Sequence, residues 1–182
     1  AQWFSGAPIT FVDTRGTYNR TGRSARQTPF STLSNDQIQA LVGIFQASTT
    51  NAAGVVTDRL FWIDPSILNA NLQASGGFSL NGTTFANQVF FNTNPGQTGN
   101  IGRALIDGPA FFNVNMALLK NIKFTETMRV QLRMEAFNVL NNVNFNVSAA
   151  QQFQNINSTT FGQITATANA ARELQFAARF EW

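Results

Sequence analysis

The stretch RELQFAARFEW, residues 172–182, alternates between two kinds of side chain. Successive side chains of a β-strand point to opposite faces, so this alternation predicts a strand with two unlike faces. The apolar face consists of Leu174, Phe176, Ala178, Phe180 and Trp182. The other face carries Glu173, Gln175, Ala177, Arg179 and Glu181. The length matches the ~9–11 residues that a tilted strand needs to cross a bilayer, although an amphipathic strand of a soluble β-sandwich alternates in the same way.

Two earlier stretches show the same alternation. Their apolar positions are Phe112, Val114, Met116 and Leu118 in the first, and Met128, Val130, Leu132, Met134 and Ala136 in the second. The connection between them, from Asn121 to Thr127, is short and polar. Two alternating stretches joined in this way predict a β-hairpin, which we place at residues 111–138.

The connections between the predicted strands alternate in length. The sequence predicts a single segment over residues 1–182, composed of a strand at 1–8, a long loop region at 9–110, the hairpin at 111–138, a loop at 139–171 and a terminal strand at 172–182. Bacterial outer-membrane barrels alternate long extracellular loops with short periplasmic turns. The order of connections therefore favours a barrel over a sandwich.

The long loop region also contains signals for local structure. Ser34 and Gln37 form a possible capping box, and apolar residues follow at helical spacing. These apolar residues are Ile38, Leu41, Val42 and Phe45. A second short helix is predicted after Pro65, and short strands are predicted at residues 61–63 and 89–91.

The composition excludes several kinds of site. The chain has no His and no Cys, so nucleophile–histidine pairs and sites with thiolate or imidazole ligands are impossible within one chain. The nearest acidic pair within a loop, Asp58 and Asp64, has no surroundings typical of a glycosidase pair. We therefore expect no enzyme activity, no cofactor and no metal. The net charge of +3 is small, so we expect no nucleic-acid partner.

Four arginines form a basic run without an intervening acid. They are Arg15, Arg20, Arg23 and Arg26. Such a run could contact an anionic partner such as lipopolysaccharide, or it could be the solvated face of a loop.

The stretch EAFNVLNNVNF, residues 135–145, resembles a signature near the end of TonB-dependent receptors, of the kind whose N-terminus carries a carboxypeptidase-regulatory-like domain. The motif positions are Glu135, Phe137, Asn138, Asn141, Asn144 and Phe145. Residues 99–103 and 108–109 are similar to the stretch that precedes this signature in that family, and residues 160–165 and 172–176 to the stretch that follows. Trp182 resembles the terminal aromatic by which outer-membrane barrels are recognised for insertion. Asn115 departs from the pattern, since Asp is expected there.

The resemblance implies a mainly β fold of antiparallel outer-membrane-barrel strands, with long loops that hold one or two short helices. The few strands of this chain make only an incomplete barrel, because the smallest closed barrels have about eight. The implied function is a non-enzymatic barrel segment of a receptor whose intact parent takes up ligand across the bacterial outer membrane. Its expected partners are outer-membrane lipid or further barrel strands of the parent.

A second hypothesis is structural. Exposed strand edges are templates for pairing, and low charge favours stacking of apolar faces. A released fragment would then assemble with copies of itself, as a homo-oligomer or polymer, into a fibre or tube at the cell surface or outside the cell.

Overall fold

The computed structural model of the chain describes residues 1–13, 28–50, 54–75, 83–94, 98–147 and 154–182. The strands are β1 (Gln2–Phe4), β2 (Pro8–Ile9), β3 (Phe30–Ser31), β4 (Val42–Thr50), β5 (Val56–Ile63), β6 (Phe90–Phe91), β7 (Ile106–Asp107), β8 (Phe111–Asn113), β9 (Met116–Lys123), β10 (Arg129–Phe137), β11 (Gln163–Ile164) and β12 (Glu173–Glu181). The helical elements are α1 (Asn35–Ala40) and the 3-10 helix Pro65–Ile67. In the described part of the chain the paired strands are antiparallel and do not close into a barrel. The predicted fold class is confirmed.

The chain forms two compact units, where the sequence predicts a single segment. One unit, here called the sheet unit, consists of Ala1–Ser5, Ala110–Phe145 and Thr167–Trp182. The other, called the loop unit, consists of Gly6–Pro109 and Asn146–Ala166. Among the described residues, no helix has both the length and the apolar character of a membrane span.

The sheet unit is built on an antiparallel meander in the order β12-β10-β9. All nine residues of β10 pair with β12, and β9 pairs along the opposite edge of β10. Apart from β11 of the loop unit, which lies between β10 and β12 in the chain, successive strands are thus neighbours in this sheet, as in the up-and-down barrels of the outer membrane. The turn between β9 and β10 is closed by the backbone N–H of Phe124, which donates to the carbonyl of Met128 at 3.0 Å.

The first strand of the predicted hairpin is interrupted. β8 ends at Asn113 and pairs with β1, whereas β9 begins at Met116 and pairs with β10. Between them, the carbonyl of Val114 accepts a hydrogen bond from Val139 at 2.9 Å. The strand breaks because these linking residues bond to the turn beyond β10 instead of continuing the ladder.

The predicted strand at residues 1–8 is also two elements, β1 in the sheet unit and β2 in the loop unit. The chain leaves the extended ladder near Gly6, where it passes against Gly108. A Cβ atom at Gly6 would lie 1.7 Å from the carbonyl oxygen of Gly108. Only glycine permits this close backbone approach.

The region predicted as a long loop, residues 9–110, contributes most of a unit with its own core. Three buried rings form the centre of this core: Phe11 lies 5.3 Å from Phe90 and 5.2 Å from Phe161 between ring centroids. Phe61, Ile9 and Ile38 are also fully buried. Residues 9–110, predicted as a long loop region, therefore contribute buried side chains to a folded core.

The predicted capping box is present, but the helix is shorter than predicted. The hydroxyl of Ser34 accepts from the backbone N–H of Gln37, whose side chain accepts from the backbone N–H of Ser34. Helix α1 ends at Ala40, and Val42 begins the nine-residue strand β4. Pairing with β5 and the β-branched residues of this segment override the helical spacing of Val42 and Phe45. The predicted second helix is the single 3-10 turn after Asp64.

Candidate membrane-facing surface

The three-stranded meander has one apolar face. Because the strands pair in register, Val130 lies between Ile122 and Phe180, and Met134 lies between Leu118 and Phe176. The full face consists of Met116, Leu118, Lys120, Ile122, Val130, Leu132, Met134, Ala136, Leu174, Phe176, Ala178 and Phe180. Lys120 is its charged member. Four of the five residues predicted from the terminal stretch therefore join two further apolar rows, and Trp182 lies just beyond the paired residues.

Most of this apolar face is uncovered, and Ala136 is its buried member. Phe176 is 73% exposed, Leu118 is 66% exposed, and Trp182, beyond the end of β12, is 86% exposed. Burying one such side chain stabilises a protein by ~1.5–3 kcal/mol, so a face of this size is strongly unfavourable in water. Contiguous apolar patches of this kind mark interaction surfaces for a membrane or another protein.

The opposite face of the meander is mainly polar, and its large apolar members are Leu119 and Phe137. Arg129 pairs with Glu181, Arg133 pairs with Glu135, and Arg179 lies 3.1 Å from Glu181. The amide of Gln131 donates to Asn121 at 3.1 Å. These ion pairs are partly exposed, so each contributes at most about 1 kcal/mol to stability. Their main consequence is that the two faces of one sheet differ sharply in polarity.

Aromatic residues lie at both ends of the sheet unit. At the end with the β9–β10 turn, the rings of Phe180 and Trp182 stack with centroids 5.7 Å apart. At the other end, where β8 precedes β9, Phe4 of β1 stacks on Phe111 with centroids 4.6 Å apart. Trp3 lies beside this pair and is exposed.

Asparagine side chains from the predicted family motif close the end of the sheet unit beyond β10. Asn138 is 4% exposed, and its backbone has a φ of 49°, in the left-handed region. Its side-chain amide donates to the carbonyls of Asn142 and Ala170, both at 3.1 Å. The side-chain oxygen of Asn138 accepts from the backbone N–H of Asn142 at 3.0 Å. One side chain thus joins the turn after β10 to the segment that enters β12.

The side chain of Asn144 bonds to the backbone of Phe112 in β8 as a neighbouring strand would. Its side-chain oxygen accepts from the backbone N–H of Phe112 at 2.8 Å, and its NH₂ group donates to the carbonyl of Phe112 at 3.0 Å. Its own backbone N–H donates to the side chain of Asn169 at 3.1 Å. Asn141 completes the cluster by accepting from the backbone N–H of Arg172 at 3.1 Å. We call Asn138, Asn141, Asn142, Asn144 and Asn169 the asparagine cluster.

The motif residues do not all meet. Three of its asparagines belong to the asparagine cluster, whereas Glu135 lies within β10 on the polar face. Phe145 forms an isolated bridge with Thr167, and Phe137 is partly exposed at the end of β10. Asn169 contributes to the cluster but was not predicted, since its position lies outside the motif stretch.

A comparison with protein families identifies the family of the chain. The family model described as "Outer membrane beta barrel domain" matches residues 1–175. The chain belongs to the outer membrane beta barrel domain family. Neither the curated proteins nor the solved structures gave a significant match.

Membership of the outer membrane beta barrel domain family places the protein in the bacterial outer membrane. In such barrels an outward apolar band meets lipid, aromatic girdles lie at both interfaces, and the interior is polar. The apolar face, the aromatic ends and the polar face of the sheet unit match these parts in turn. Lys120 can extend its charged end along the face toward water, as long basic side chains do near membranes.

One predicted contact site is not tested by the structure. The basic run at Arg15, Arg20, Arg23 and Arg26 lies outside the described residues. Within the described part of the chain, no group of three or more His, Cys, Asp or Glu side chains could hold a metal ion.

Proposed function

We propose that this outer membrane beta barrel domain is the C-terminal segment of a TonB-dependent receptor, of the kind that carries an N-terminal carboxypeptidase-regulatory-like domain. Its intact parent would take up a ligand across the outer membrane. The proposal depends on the asparagine cluster, because the three asparagines of the receptor-like motif all form hydrogen bonds within it. They fasten the turn between the last two strands of the meander, where the family signature occurs.

The polar face of the meander supports a transport role. A row of arginine and glutamate side chains on the inner face would line a water-filled or plugged lumen. The expectation that the protein is not an enzyme remains a prediction, which depends on the lack of His and Cys.

The proposal is tested by uptake in cells. A strain that lacks the parent gene and a strain that lacks the energy-coupling protein are grown on the same panel of nutrients, with complemented strains as controls. We expect both to lose growth on a shared nutrient. A parent-gene deletion that impairs no nutrient on which the coupling-protein deletion also fails contradicts the proposal.

A second candidate is self-assembly of the separate chain, and the open edges of the meander favour it. Among the described residues, β12 pairs only with β10, and its outer edge has no strand beside it. Such an edge can template pairing with another copy. Copies joined by their edges could also stack their apolar faces and so cover them.

Electron microscopy of the purified chain without detergent separates the two candidates. Fibres or tubes support self-assembly if a proline in β12, such as Gln175→Pro, blocks their formation. Proline lacks the backbone N–H that donates hydrogen bonds in strand pairing. Particles that stay monodisperse at every concentration contradict it.

A further inference from the structure

The loop unit contains a polar cavity of about 290 Å³ beside the tip of the β4–β5 hairpin. Hydroxyl and amide side chains line most of it, including Thr49, Thr57, Thr159 and Asn71. Arg59 of β5 is its charged lining residue. Ligand pockets in proteins commonly occupy ~300–1,000 Å³, so this cavity lies at the lower limit and fits only a small molecule.

The strand register brings Arg59 and the threonines to one face of the hairpin. Thr49 pairs with Thr57, and Ala47 pairs with Arg59, so their side chains share that face. Asp58 is the neighbouring acid, but alternation directs it to the opposite face, where it accepts a hydrogen bond from Ser48 at 2.6 Å. The nearest carboxylate in the sequence is therefore directed away from the cavity.

The charge of Arg59 is not neutralised within the chain. All nine acidic residues lie among the described residues, and none forms a salt bridge with Arg59. Its Nη1 donates to the side chain of Gln163 at 3.1 Å. Its Nε is buried and has no hydrogen-bond partner in the described part of the chain. A guanidinium has five N–H donors, and a buried donor without a partner costs about 1–3 kcal/mol.

We propose that this cavity binds an oxyanion carried on a small, hydroxyl-bearing molecule, such as a sugar acid. The guanidinium of Arg59 lines the cavity and would donate its accessible N–H groups to the oxyanion of the ligand. The surrounding hydroxyl and amide groups would exchange hydrogen bonds with the hydroxyl groups of the ligand. For its biological use this inference rests on the proposed receptor function, in which the loop unit would capture the ligand.

Leu72 lies on the cavity wall with a φ of 62°, a left-handed backbone conformation that non-glycine residues seldom adopt. The turn that holds it is fixed by Asn69, whose side chain accepts from the backbone N–H groups of Asn71 and Gln73, both at 2.9 Å. The wall is therefore held in place by local hydrogen bonds, and we expect the cavity to exist before a ligand binds.

The test is calorimetric titration of the full protein in detergent micelles with three probes: galacturonate, glycerol 3-phosphate and galactose. We expect one or both anions to bind and neutral galactose, which shares the hydroxyl groups, to bind at least about tenfold more weakly. Preference for galacturonate or for glycerol 3-phosphate identifies the oxyanion as a carboxylate or a phosphate. Equal binding of galactose, or no binding of either anion, overturns the proposal.

Variants of Arg59 assign the effect to this residue. We expect Arg59→Gln to weaken anion binding at least about tenfold, and Arg59→Lys, which keeps the charge but not the fork, to have an intermediate effect. Arg103→Gln removes an exposed charge of the loop unit outside the cavity and serves as the matched control. If Arg59→Gln melts at a lower temperature than the unmodified protein, Thr57→Val is used instead. This variant removes a cavity hydroxyl without changing volume or charge.

Wild-type affinity in Arg59→Gln, or equal losses in Arg59→Gln and Arg103→Gln, would overturn the assignment. If the protein binds the anion but cells that make the intact parent receptor do not take it up, the receptor function is contradicted and the binding site still stands. Uptake of an anionic sugar that Arg59→Gln does not impair overturns the site and leaves the receptor function in place.

Discussion

Asparagine side chains take the place of backbone partners in this protein. Asn144 bonds to both the N–H and the carbonyl of Phe112, and Asn100 bonds in the same way to Ser31 in the loop unit. An amide has a donor and an acceptor, so it can complete the pairing of one residue without a further strand. The sequence resemblance pointed to Asn144 as a motif residue. It could not show the partner, which is 32 positions away.

At the scale of single residues, Asn144→Ala should destabilise the sheet unit. The substitution leaves the N–H of Phe112 without its side-chain partner and removes the shorter of two side-chain bonds to its carbonyl, at a cost of about 1–3 kcal/mol in the free energy of unfolding. The measurement is denaturant unfolding of the protein in detergent micelles. The matched control is Asn146→Ala, whose side chain makes no hydrogen bond with a described residue, and it should cost less. Equal effects of the two variants would contradict the role given to Asn144.

Asn138 provides a second residue-scale prediction, because it combines a left-handed backbone with a hydrogen-bonded side chain. Both Asn138→Gly and Asn138→Ala lose the side-chain bonds, but glycine adopts positive φ without penalty, whereas alanine adds about 1 kcal/mol or more. We therefore expect the order of stability Asn138, then Gly, then Ala in the same unfolding measurement. An alanine variant as stable as the glycine variant would show that the backbone at this position relaxes.

At the scale of elements, the sequence predicted the ranges of the long strands better than the points where a strand breaks or a helix ends. β10 and β12 occupy nearly the predicted ranges, because a long alternating pattern allows only one register with its apolar residues on one face. Helix α1 began where the capping box predicted and ended earlier, because cross-strand pairing of β4 depends on β5, which the helical spacing does not reveal. The break between β8 and β9 also depends on distant partners.

The apolar face of β12 gives the element-scale prediction. Phe176 and Gln175 are neighbours near the middle of the strand and point to opposite faces. Arginine on the lipid face of a barrel costs about 2–4 kcal/mol at the bilayer midplane, whereas lumen positions tolerate charge. Phe176→Arg should therefore reduce recovery of the intact parent protein in the outer-membrane fraction, and Gln175→Arg should not.

The comparison uses equal expression of the two variants and fractionation followed by immunodetection. Similar recovery of Phe176→Arg and the unchanged protein would mean that this face does not meet lipid. A loss confined to Gln175→Arg would reverse the assignment of the two faces.

At the scale of the whole molecule, the sequence predicted the barrel-type unit and missed the core of the loop unit. The sheet unit could be predicted because its strands are long and alternate between apolar and polar residues. The core of the loop unit is assembled from Phe11, Phe90 and Phe161, which lie in short segments far apart in the chain, without a local period. The cavity at Arg59 was missed for the same reason, since Arg59 and Thr159 meet only in the folded unit.

The division into two units predicts that a core mutation in one leaves the other intact. Phe161 is fully buried against Phe11 and Phe90, so Phe161→Ala should destabilise the loop unit by about 3–5 kcal/mol. Its effect should appear as new protease cleavage, mapped by mass spectrometry, between Gly6 and Pro109. Recovery of the parent protein from the outer membrane should be unchanged, because the ladders of β9, β10 and β12 contain no loop-unit residue. Phe30→Ala, at a half-exposed ring of the same unit, should produce less cleavage. New cleavage in the loop unit together with loss of the protein from the outer membrane would show that the two units do not fold independently.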